Sequence, residues 1–94
     1  MKVLVVHPVS FVAEVVDINM NIETLQELVG GYIEPVYQGI YTILCDEEGN
    51  LKQLPPNILG LVGRIVFVRN GVDDFEGLTD DDIKFIMNKY ELRW

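Results

Sequence analysis

The chain has 94 residues, 49% of them apolar, and a formal net charge of −8. One domain is expected, burying roughly 60–65% of its unfolded surface in a modest core. The charge, with a pI of about 4.3, excludes generic binding to DNA or RNA duplexes, whose phosphates repel an acidic body.

Met1 to His7 is apolar on both alternating faces, which predicts a central strand covered on both sides, stopped by Pro8. Phe11 to Ile18 is a second strand, close enough in sequence to predict an antiparallel hairpin. Asn21 is placed to cap a helix whose apolar side carries Ile22, Leu25, Leu28 and Val29. Gly30 and Gly31 then offer a left-handed stop. Tyr32 to Tyr37 is a strand weakened by Pro35, so it belongs at a sheet edge or ends early. Gln38-Gly39 turns the chain into a central strand, Ile40 to Cys45. Asp46 to Asn50 is a turn, and Leu51 to Leu54 is read as a short returning strand.

Leu54-Pro55-Pro56-Asn57 is stiff and extended, and Asn57 caps a turn of helix at Ile58-Leu59. Gly63 to Arg69 is the last strand, again apolar on both faces, followed by an Asn70-Gly71 turn. The closing helix is the best marked. Thr79 and Asp82 have capping-box spacing, Leu78 and Ile83 can form a staple, and Asp80 to Asp82 suit the positive end of the dipole. Ile83, Ile86, Met87 and Tyr90 form its apolar stripe.

Few groups carry recognisable chemistry. Consecutive residues on a helix diverge by about 100°, so Asp80, Asp81 and Asp82 cannot converge on one metal ion. His7, the one histidine, lies at a strand end beside a loop and has no nucleophile motif around it. A lone cysteine, Cys45, excludes an internal disulfide and sits in an apolar pattern, as an inert thiol does. Arg64 and Arg69 bracket one strand and are two of only seven basic residues. Strand alternation puts them on opposite faces, so one ligand would meet both only across a subunit interface. With Tyr32, Tyr37 and Tyr41 they are the candidate ligand-binding residues, pairing an anion and stacking on a base; His7 completes the set.

Four segments together resemble a known family: Lys2 to Pro8, Leu25 to Glu34 (LQELVGGYIE), Leu54 to Asn57 (LPPN), and Leu78-Thr79-Asp80. The chain resembles a family of short proteins of unassigned function encoded by phages, plasmids and conjugative elements. The resemblance covers nearly the whole chain, which is shorter than many of these relatives between Asn57 and Gly63. It implies a mobile-element accessory protein and no particular reaction.

The expected fold is α+β, a sheet of four to five mainly antiparallel strands with two helices sharing one face. The expected function is non-enzymatic: binding and neutralising a host component, in the manner of anti-defence proteins. An acidic surface can occupy a host protein's basic nucleic-acid site; alternatively, an oligomer can sequester an anionic nucleotide signal between subunits. A protein-interaction module without a small ligand, or a small hydrolase, is the alternative. No cofactor or metal is expected. The high apolar share of so small a body predicts a homo-oligomer. No apolar run approaches the ~20 residues that span a bilayer, and His7-Pro8 breaks the N-terminal apolar stretch, so a cytoplasmic location is expected.

Overall fold

A computed structural model describes all 94 residues. β1 (Lys2–Val6) and β2 (Ala13–Asp17) form the expected antiparallel hairpin, with Lys2 opposite Asp17 and Val6 opposite Ala13. α1 (Ile22–Val29) follows, capped by the Asn21 side chain, which accepts from the Thr24 N–H at 2.9 Å. Gly30 ends it in the left-handed region at φ 95°. Then come β3 (Ile33–Gln38), β4 (Tyr41–Asp46), a single 3-10 turn (Ile58–Gly60) capped by Asn57, and β5 (Ile65–Asn70). β6 (Phe75–Glu76) and α2 (Asp80–Lys89) complete the chain. The strands lie in the order β2-β1-β5-β4-β3, with β6 added against the end of β5, and every pairing is antiparallel. The fold is α+β. No helix is long and apolar enough to cross a membrane.

Two expectations are corrected. The helices do not share a face; they cover opposite faces of the sheet. Leu4, Val6, Ile43, Cys45, Ile65 and Phe67 pack with Leu78, Ile83 and Ile86 on the α2 side. Val3, Val5, Leu44, Val66 and Val68 pack with Leu25 and Val29 on the α1 side. The reason is the doubly apolar character of β1, β4 and β5. Side chains alternate sides along a strand, so burying both sets needs a cover on each face. Fully burying a side chain such as Phe67 or Ile43 stabilises by roughly 1.5–3 kcal/mol, so an uncovered face would be costly. Secondly, Leu51 to Leu54 is not a strand. Its N–H groups close local turns onto Glu48, Gly49 and Asn50 instead of reaching a neighbouring strand.

Pro35 sits at the edge, as expected, and its register explains why it is tolerated. The Glu47 N–H donates to the Tyr32 carbonyl at 2.8 Å. Alternation from that pair turns the backbone groups of Glu34, Val36 and Gln38 toward β4, and those of Ile33, Pro35 and Tyr37 outward. The donor that proline lacks is therefore missing from the free side of the sheet, where its absence blunts the edge.

Candidate functional site

The start of α2 is fixed by one buried carboxylate. The Asp82 N–H donates to Thr79 Oγ1 at 3.1 Å, and the Thr79 N–H donates to Asp82 Oδ2 at 2.8 Å, which is the expected capping box. The same carboxylate reaches the sheet. The Tyr41 hydroxyl donates to Oδ1 at 2.7 Å, and Arg69 Nη1 donates to both oxygens at 3.2 and 3.3 Å. Burial pushes the Asp82 carboxyl up, but the hydrogen bonds from Thr79, Tyr41 and Arg69 outweigh it, and the net shift is downward. Tyr41 responds in the opposite sense. Burial, its bond to Asp82 and the nearby negative charge push the phenol up to about 12.

Arg64 is engaged on the other face. The last turn of α1 carries no basic residue of its own. Arg64 Nη2 donates to the Glu27 carbonyl at 3.2 Å, and Lys52 Nζ to the Gly30 carbonyl at 3.4 Å. Two cations from distant sequence thus meet the negative end of the α1 dipole and its unpaired carbonyls. Lys52 also donates to the buried Asp46 carboxylate at 2.7 Å. Burial pushes Asp46 up; the bonds from Lys52 and the Glu48 N–H outweigh it and lower it overall. The Lys52 ammonium is raised by the same bond.

The structure brings Tyr41 and Arg69 together and separates the other candidates. Tyr32 and Tyr37 present exposed rings at the β3 edge, Tyr37 in a groove beside Asp73 and Asp74. His7 Nε2 lies 3.7 Å from Glu14 Oε2, both partly exposed. The Cys45 thiol is buried, donates to the Glu34 carbonyl, and is pushed up by burial. Asp80 and Asp81 face solvent while Asp82 turns inward, so the three diverge.

Sequence reasoning missed three features. Lys52 gave no signal, since its partners are six and twenty-two residues away. Phe85 and Lys89 belong to no core stripe, and a phenylalanine lying off the stripe was the available clue. With Gln38, Gly39, Ile40 and Tyr41 they line a cleft of about 330 Å³ between the β3–β4 turn and α2. The Tyr41 and Phe85 rings stack with centroids 5.9 Å apart, and Lys89 Nζ lies 5.7 Å from the Phe85 ring centre. The third is the β1–β2 loop, where Val9 and Phe11 take φ of 70° and 58°. For a β-branched residue such as Val9 that conformation is costly. Bonds from the Val9 N–H to the Pro56 carbonyl and from the Arg93 N–H to the Phe11 carbonyl hold it.

Comparisons with curated proteins and with solved structures gave no match. A family model, described as "Domain of unknown function (DUF3846)", matches residues 1–91. It spans all six strands, both helices and the Asp82 and Lys52 ion pairs, and the chain belongs to that family.

Proposed function

We propose that this is a non-enzymatic accessory protein of a phage or other mobile element. It binds and neutralises a basic host protein in the host cytoplasm, by occupying that protein's nucleic-acid site. The supporting observation is where the charges lie. Of fifteen acidic residues only Asp46 and Asp82 are buried, and each of those holds a base. Lys2 pairs with Asp80, and Arg64 with the end of α1. Four of the seven basic residues are thus engaged within the molecule, thirteen acidic residues are not buried, and the net charge of −8 makes an outward field that draws in basic surfaces at long range. The nucleotide-sequestering mechanism has less support, because Arg64 and Arg69 are engaged on opposite faces.

Capture from a bacterial lysate tests this reading. The expected catch is a basic nucleic-acid-binding protein, released by moderate salt and displaced by duplex DNA. The double variant Glu23→Gln/Glu27→Gln should capture less. A captured protein indifferent to both salt and DNA, or measurable turnover of a substrate by the pure chain, overturns it.

A further inference from the structure

Of five surface clefts, four contain a carboxylate in their lining: Asp73 and Asp74; Asp46; Glu34, Asp46 and Glu47; or Asp80. The cleft between the β3–β4 turn and α2 contains none. On a chain of net charge −8 that lining offers an anion no acidic neighbour at the surface of the cavity. Its positive group is Lys89, which no carboxylate holds within ion-pair distance. Its apolar wall is Phe85 and Ile40, 52% and 55% exposed. These two side chains are exposed although nothing in the fold requires it, and the buried Tyr41 ring backs Phe85. Phe85 departs from the buried stripe of α2, and Ile40 sits at the tip of the β3–β4 turn.

We infer that this cleft is a binding site for a small ligand consisting of a flat ring that carries one anionic group. The ring lies against Phe85 and Ile40, and the anion pairs with Lys89. The volume of about 330 Å³ is at the small end of ligand pockets and admits one ring system. A single cation suits a single anionic group, because the surrounding negative charge repels a polyanion. The shared chemistry is met by an arylacetate and by a nucleoside monophosphate. This inference is independent of the acidic-surface reading above.

Amide NMR of the full chain, titrated separately with indole-3-acetate and adenosine 5′-monophosphate, tests it. The expected result is saturable shifts at Gly39, Ile40 and Lys89 with at least one probe, and weaker shifts with its neutral parent, 3-methylindole or adenosine. Lys89→Gln, an exposed change that leaves the core untouched, should weaken the anionic probe roughly tenfold, about 1.4 kcal/mol. Lys84→Gln should leave it unchanged. Saturation by the carboxylate or by the nucleotide alone assigns the anion. No saturable shift with either probe at low millimolar concentration overturns the site, and equal affinity in Lys89→Gln overturns the anion's place in it.

Discussion

Gly30 and Gly31 are adjacent, yet alanine meets a different obstacle at each. At Gly30 an added Cβ has open space around it, and the obstacle is the backbone, at φ 95°. Gly30→Ala should cost about 1 kcal/mol through that strain. At Gly31 the added Cβ would lie 2.8 Å from both Asp46 Oδ2 and Lys52 Nζ. Gly31→Ala should therefore disturb the ion pair that also closes α1. Chemical denaturation of single and double variants separates the two cases. Gly31→Ala should be less than additive with Lys52→Met, since both remove the Asp46–Lys52 interaction, whereas Gly30→Ala, which touches Lys52 only through its own carbonyl, should come closer to additivity. Full additivity for Gly31→Ala would show that the ion pair tolerates the methyl group.

At the scale of elements, α2 is joined to the sheet by its own cap. Thr79→Ala removes one side of the capping box and should cost about 1 kcal/mol, lowering the melting temperature by roughly 4–8 °C in a domain of this size. Asp82→Asn should cost more, because it also unpairs Arg69 and weakens the acceptor for Tyr41. An equal loss in the two variants would confine Asp82 to capping. The same carboxylate sets an acid limit. Both Asp82 and Asp46 are lowered in the folded chain from an ordinary value of 3.8. A depressed carboxyl stabilises fully above its unfolded value and loses that contribution as the pH falls through its folded one. Melting temperature should thus hold above about pH 5 and fall below about pH 4, and Asp82→Asn should flatten that fall. An unchanged acid limb would place the sensitive carboxyls elsewhere. Tyr41 gives the alkaline counterpart: its phenolate absorbance should appear at a pH of about 12, and Tyr41→Phe should delete that step.

For the whole molecule, the two-faced core accounts within one chain for the doubly apolar strands, so assembly falls to the sheet edges. The β3 edge is blunted by Pro35. On β2, the Ile18 N–H donates to the Met1 carbonyl and the His7 N–H to the Val12 carbonyl, which turns the backbone of Ala13, Val15 and Asp17 outward. Arg93 occupies Ala13, leaving Val15 and Asp17 open. The homo-oligomer we expect is a symmetric dimer through this edge. Light scattering at micromolar concentration should give a mass above 10.7 kDa, and Val15→Pro should return it to the monomer without unfolding it, since that N–H serves no internal bond. A monomeric mass for the parent chain removes the dimer.

Local chemistry was legible in the residues themselves. Asn21, Asn57 and Thr79 cap what their spacing says they cap, because a cap needs only neighbours within three residues. The alternation of β1, β4 and β5 determined that both faces of the sheet would be buried, and Pro35 determined an edge. Two things needed the tertiary structure. One was which element covers which face, because strand periodicity says that a cover exists without saying whose. The other was the fate of the charged groups. Arg69 and Asp82 lie thirteen residues apart, and Arg64 and Glu27 thirty-seven, so only folding brings them together. The cleft at Phe85 and Lys89 arises in the same way, from a turn and a helix that meet across the sheet and share no pattern in sequence.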